Sequence, residues 1–220
     1  MIEIKACIFD LDGVIVDTAK YHYLAWKRLA KELGFDFSEN DNEQLKGVSR
    51  MTSLDILLGI GDLIFTNEKK IKLAEKKNQW YVEYINEMTP DEILPGVKDF
   101  INTLRKNKIK IALASASKNA VTILNQIDMI NYFDVIIDGT KVKEAKPNPE
   151  VFLKSAQELG IEPQYCIVFE DAVAGIQAAI NAEMHNVGIG KADILTKADY
   201  VINNFESFDF ERLNKYFIKN

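Results

Sequence analysis

The sequence predicts an α/β protein, with a Rossmann-like parallel sheet core, helices on both of its faces, and an inserted α-helical cap domain. Three observations lead there. Short apolar runs with strand character alternate with segments of helical periodicity along most of the chain. The links between them are short, which is how a parallel sheet covered by helices is written in sequence. One stretch, residues 18–88, breaks the alternation and carries helical patterns only.

The elements follow in order. Residues 4–9 form the first apolar run. A helix is expected over Ala19 to Leu33, with Tyr23, Trp26, Leu29, Ala30 and Leu33 on one stripe. Short helical patterns cover 42–46 and 52–59. A long one covers 67–88, where Ile71, Ala74, Tyr81, Val82, Ile85 and Met88 recur at helical spacing. Thr89-Pro90 and Leu94-Pro95-Gly96 then punctuate the return to alternation. The expected division is a core of residues 1–16 and 90–220 and a cap of residues 17–89, joined by a hinge pair near Asp17 and Pro90. Within the core, strands at 109–114, 134–137, 165–169, 185–189 and 199–202 alternate with helices at 97–107, 117–127, 148–160 and 172–182.

Composition narrows the function classes. The 220 residues are 47% apolar, enough for one good core and a smaller second one. Lys plus Arg is 27 against 33 Asp plus Glu, a net charge of -6. That balance argues against general nucleic-acid affinity and against a polybasic membrane anchor. No apolar run is long enough to span a bilayer, and Met1 to Lys5 lead into the first strand without a signal-peptide pattern. A cytoplasmic location is expected, with a monomer as the default. Cys7 and Cys166 both lie in apolar runs and read as buried free thiols.

The chemistry-bearing residues cluster where strands end. In Phe9-Asp10-Leu11-Asp12-Gly13-Val14, two carboxylates stand two apart just past a buried strand. In parallel sheets that edge is where ligands bind. A carboxylate can attack phosphorus to form an acyl phosphate, and a second one can carry a proton. Alone, this motif fits a strand-ending turn equally well. Ser115 ends the second strand ahead of a helix, a setting suited to a phosphate oxygen. Lys146 lies in Ala145-Lys146-Pro147-Asn148-Pro149, where prolines stiffen the loop. Glu170-Asp171 ends a further strand and adds the hard oxygen donors that Mg2+ takes. Four such clusters in this order are hard to reconcile with separate caps and turns.

Together they resemble the haloacid dehalogenase superfamily, and the helical insertion resembles its C1-type cap. The likeness covers nearly the whole chain. It is most specific at Phe9 to Val14 with Asp17-Thr18-Ala19 and Tyr21-His22, at Asn42 to Arg50, at Asn107 to Asn119, and at Glu170-Asp171 with Ala174-Gly175-Ile176-Gln177-Ala178. The resemblance implies that Asp10 is the phosphorylated nucleophile and Asp12 the general acid/base. It implies one Mg2+ per chain held by Asp10, the Asp12 backbone carbonyl and Asp171, with Glu170 in or beside that shell. Ser115 and Lys146 would hold the transferring phosphoryl group. Thr18 would hold Asp12 at rest, and His22 with Lys77 would couple cap closure to it.

Within the superfamily the chain resembles the sugar-phosphate mutases. The expected reaction interconverts β-glucose 1-phosphate and glucose 6-phosphate, with β-glucose 1,6-bisphosphate as intermediate and activator. A mutase must rebind a bisphosphate in the opposite orientation, so it needs a second anion site. Lys46-Gly47-Val48-Ser49-Arg50 offers a glycine that admits backbone to a ligand and two flanking cations. The expected substrate-binding set is His22, Trp26, Lys46, Gly47, Val48, Arg50, Ser53 and Lys77 from the cap, with Ser115, Ala116, Ser117, Lys118, Asn119 and Lys146 from the core. A sugar-phosphate or phosphoglycolate phosphatase is the competing reading. A non-catalytic binding protein is a third, and it leaves the nucleophile unexplained. Asn148 departs from the small residue common at its position in relatives.

Overall fold

A computed structural model describes residues 3–45 and 48–217. Lys46 and Gly47, both expected in the substrate site, lie outside the described residues. The chain divides into two compact units, residues 1–17 with 88–220 and residues 18–87.

The larger unit is built on β1 (Ala6–Phe9), β2 (Lys110–Ala114), β3 (Val135–Ile137), β4 (Cys166–Glu170), β5 (His185–Ile189) and β6 (Tyr200–Ile202). They form one parallel sheet in the order β3-β2-β1-β4-β5-β6. The near-continuous apolar runs of β1 and β4 are fully buried, as strands covered on both faces must be. Cys7 and Cys166 are buried free thiols, and burial pushes the Cys166 thiol up to about 12.

The two faces are packed differently. On one, α7 (Glu150–Leu159) and α8 (Val173–Asn181) cover Ala6, Ile8, Ala112, Cys166 and Val168. On the other lie α5 (Val97–Lys106) and α9 (Phe210–Phe217). There, Phe9 stacks on Phe169 with centroids 4.7 Å apart, and Phe100, Phe205 and Phe208 close around them. This aromatic floor lies directly beneath the strand ends that carry Asp10 and Glu170.

The smaller unit contains α1 (Ala19–Leu33), α2 (Glu39–Glu43), α3 (Arg50–Ile60) and α4 (Asn67–Ile85), with α1 and α3 both packed on α4. Among the described residues no helix is long and apolar enough to cross a membrane.

Several boundaries differ from the sequence reading, each for a local reason. The helix expected at 42–46 is α2, shifted back to Glu39–Glu43. Ser38 caps it reciprocally with Asp41, the Asp41 N–H donating to Ser38 Oγ at 3.2 Å and the Ser38 N–H to Asp41 Oδ2 at 2.9 Å. The helix expected from 67 to 88 stops at Ile85, and Ile71 is exposed rather than buried. The buried face of α4 instead includes Lys77 and Trp80. The α6 helix (Ala120–Gln126) begins three residues later than expected, because Ser115 and Ser117 hydroxyls accept the N–H groups of Ser117 (3.0 Å) and Asn119 (3.2 Å). The α9 helix was not expected. Its signal is Asp209, whose Oδ1 accepts the Arg212 N–H at 2.8 Å, followed by Leu213 and Phe217 on one face.

Candidate active site

Register brings the site together. Phe9 pairs with Leu113 on one side and with Phe169 on the other, so Asp10 emerges level with Ala114 and Glu170. The Asp10 N–H donates to Phe169 O at 3.0 Å, continuing the ladder one residue past β1. The chain then turns. Gly13 has φ 79°, a left-handed conformation that glycine adopts without strain. Val16 O accepts the Gly13 N–H at 2.7 Å, and the half-buried Asp12 lies on this turn.

Lys146 enters from the loop between β3 and α7. Its ammonium donates to Asp10 Oδ1 at 2.5 Å, Glu170 Oε2 at 2.8 Å and Ala114 O at 3.3 Å. Burial alone would lower this ammonium. The Asp10 and Glu170 carboxylates more than offset it and hold Lys146 well above its ordinary value. Glu170 is buried, which raises its carboxyl, as does Asp10, while Lys146 opposes the shift. Its Oε1 accepts the Ala172 N–H at 3.1 Å. Asp171 is exposed at its outer edge, yet its carboxyl faces the acidic side. Partial desolvation, then repulsion from Glu170, Asp10 and Asp12, pushes it up to about 8.

Two glycines make room for these acids. A Cβ at Gly13 would stand 2.0 Å from Asp171 Oδ2, and one at Gly175 would stand 2.0 Å from the Glu170 carboxyl carbon. Neither glycine was singled out from sequence for this role. The signal in sequence is Gly13 directly after Asp12 and Gly175 four residues past Asp171.

The donor set fits a hard divalent cation. Asp10, Glu170 and Asp171 each offer a carboxylate oxygen within 4.8 Å of the others. Three carboxylates face one ammonium, and after desolvation it is their mutual repulsion that raises the Asp171 carboxyl. Asp12 is not part of this side-chain cluster. Its expected contribution is a backbone carbonyl.

The smaller unit contains a second, cationic cluster. The Lys77 ammonium lies 2.9 Å from His22 Nδ1, 4.5 Å from the Trp26 ring centroid and 5.0 Å from that of Tyr81. Burial and then Arg50 lower Lys77 to about 7. Burial, Lys77 and Arg50 likewise hold His22 well below its ordinary value. Arg50 opens α3 and is exposed, as is Val48, and Ser49 caps the helix by accepting the Thr52 N–H at 3.2 Å. Ser53 is buried within α3, and Thr18 is buried just ahead of α1. In the larger unit, Ala116 and Lys118 are exposed on the loop after β2, and Ser117 and Asn119 are half-buried there.

A six-stranded parallel sheet with an aspartate just past its first strand and a lysine bridging it to a second acid defines a class. The model of the haloacid dehalogenase-like hydrolases matches residues 4–183, and the chain belongs to that family. Among particular proteins, it is 41% identical to the β-phosphoglucomutase of Bacillus subtilis over 213 residues, 96% of this chain and 94% of that one. The crystal structure of β-phosphoglucomutase from Clostridium difficile superposes with a TM-score of 0.89 at 46% identity, covering 98% of each chain. A phosphorylated carbohydrates phosphatase of Thermotoga maritima is 32% identical over 86% of this chain and 89% of its own.

Proposed function

We propose that this chain is a Mg2+-dependent β-phosphoglucomutase. It interconverts β-D-glucose 1-phosphate and D-glucose 6-phosphate through β-D-glucose 1,6-bisphosphate and an aspartyl phosphate on Asp10. The observation that carries the reading is near-full-length identity of 41–46% to β-phosphoglucomutases. The Asp10–Lys146–Glu170 geometry supports its chemistry.

In the proposed mechanism an Asp10 carboxylate oxygen attacks phosphorus as the bond to the sugar oxygen breaks. Asp12 gives that oxygen its proton, and takes a proton from the sugar hydroxyl when the phosphoryl group returns. Thr18 holds Asp12 at rest. Lys146 and the Ser115 hydroxyl stabilise the phosphoryl oxygens. Mg2+, held by Asp10, the Asp12 carbonyl, Asp171 and Glu170, would neutralise phosphate charge facing the nucleophile.

The other phosphate of the bisphosphate is assigned to Lys46, Gly47, Val48, Arg50 and Ser53 with Ala116, Ser117, Lys118 and Asn119. His22, Lys77 and Trp26 are assigned to the sugar side and to coupling cap closure with Asp12. The depressed Lys77 and His22 support this, since bases whose charged form is disfavoured by burial and neighbouring positive charge regain that charge when an anion arrives. Trp26 is buried, with the Lys77 ammonium over its ring, which also suits plain packing.

A sugar-phosphate phosphatase is the second reading, supported by the Thermotoga maritima relative. A phosphorus NMR time course with Mg2+, β-glucose 1-phosphate and a trace of bisphosphate separates the two. Glucose 6-phosphate without stoichiometric free phosphate is the expected result. Free phosphate alone transfers the assignment to the phosphatase.

A further inference from the structure

Lys146 needs its ammonium at one point, yet it stands on a loop between β3 and α7 with no regular structure of its own. A lysine side chain is flexible and fixes nothing by itself. The backbone beneath it must be held by something else.

The first residue of α7 does this. Glu150 Oε2 accepts two consecutive backbone N–H groups, those of Lys143 and Glu144, at 2.8 Å each. Its Oε1 takes the Lys154 ammonium at 2.7 Å. Lys154 also donates to Lys141 O at 2.6 Å, so the same pair grips the loop further upstream. On the far side of Lys146, the Asn148 side chain accepts the Glu150 N–H at 3.0 Å, and Asn181 of α8 donates to Pro147 O at 2.9 Å. The loop is therefore clamped on both flanks of Lys146. The Lys154 ammonium, then the Glu144 and Lys143 N–H groups, pull the Glu150 carboxyl down to about 2.

We infer that Glu150 is a positioning residue for Lys146, setting the loop so that the ammonium reaches Asp10 and Glu170. Glu150 touches none of the proposed reactants. The inference rests on the reading of Lys146 as a phosphoryl-holding group. The competing role is structural only, an acid in the first turn of α7 that favours the helix dipole. That role affects stability and leaves Lys146 where it is.

The test uses the full-length chain and Glu150→Ala, Glu150→Gln and Lys154→Met. Competitive acetylation with acetic anhydride, read by peptide mass spectrometry, gives the labelling rate of Lys146 against that of the exposed Lys110. In Glu150→Ala, Lys146 labels about tenfold faster, because loss of a charge-assisted clamp frees the ammonium. Its kcat falls about tenfold with KM nearly unchanged, as expected for a misplaced catalytic group. Glu150→Gln retains an accepting oxygen and stays within about twofold of the original chain on both measures. Unchanged Lys146 labelling in folded Glu150→Ala overturns the inference. Should that variant not fold, Lys154→Met decides by the same labelling ratio. Faster labelling with unaltered turnover upholds the clamp and counts instead against the assigned role of Lys146.

Discussion

Two lysines, one in each compact unit, meet opposite fates, Lys77 fully buried and Lys146 with its side chain 12% exposed. Lys146 lies between Asp10 and Glu170 and is held charged. Lys77 lies among His22, Trp26, Tyr81 and Arg50 and is driven down to about 7. Burial acts on both in the same direction, so burial does not decide the outcome. Carboxylates do. The core site has an excess of anions around one cation, while the cap cluster gathers cations and aromatic faces. The first suits a divalent metal and the second an anionic ligand, each within its own unit.

The comparison breaks first at Asp10, the proposed nucleophile. Asp10→Asn should abolish turnover in the phosphorus NMR assay, and appreciable residual activity would contradict a covalent aspartyl phosphate. Next comes Lys146→Ala, which should lower kcat by about 100-fold, as loss of one preorganised donor does. A rate near that of the unaltered chain would remove Lys146 from the chemistry.

Metal linkage comes third. Saturating Mg2+ at about 100 times its dissociation constant should stabilise the folded chain by about 2.7 kcal/mol. Protons compete for the same oxygens, and Asp171 binds one up to about pH 8. The Mg2+ affinity, followed by calorimetry, should therefore be weaker at pH 6 than at pH 8.5. An affinity independent of pH would exclude Asp171 from the metal shell.

The smallest effect sharpens the contrast in the cap. The folded Lys77 holds its proton less well than the ordinary 10.5, so the unfolded chain carries more protons between about pH 7 and 10.5. Stability from this group rises with pH across that window. Lys77→Met should therefore stabilise the cap by about 1 kcal/mol below pH 7, the low end of what is gained when buried ionic groups are replaced by apolar ones of similar volume. The gain should vanish toward pH 10.5. Both tryptophans, Trp26 and Trp80, belong to the cap, so their fluorescence follows its unfolding. Destabilisation at pH 6 would show that Lys77 is compensated.

Sequence legibility followed the range of the interactions. The strands and the acids at their ends were readable, because apolar runs and adjacent carboxylates are local signals. Asp10, Ser115, Lys146 and Glu170-Asp171 could be named, but the bridge from Lys146 to both Asp10 and Glu170 depends on strand register. Glu150 was not readable. It looks like an ordinary first-turn acid until the fold returns Lys143 and Glu144 to it. Lys77 was assigned by resemblance alone, since nothing in the spacing says that a lysine on a charged helix points inward. The α2 boundary slipped because the Ser38–Asp41 cap competed with a weak helical pattern. The α9 helix carries little sequence signal, because Leu213 and Phe217 are its buried residues.

The strand order has a consequence for how the chain is made. Synthesis runs from the N-terminus, so Asp10 and Asp12 emerge first, on a strand whose neighbours do not yet exist. The β1 strand gains β2 once residue 114 has been made and β4 only at residue 170. Lys146 comes between them in chain order. Its positive charge is therefore already on the nascent chain when Glu170 and Asp171 bring the second pair of acids to the sheet. In a vectorial assembly of this kind, the lysine that bridges Asp10 and Glu170 is made before the strand that completes the acidic cluster.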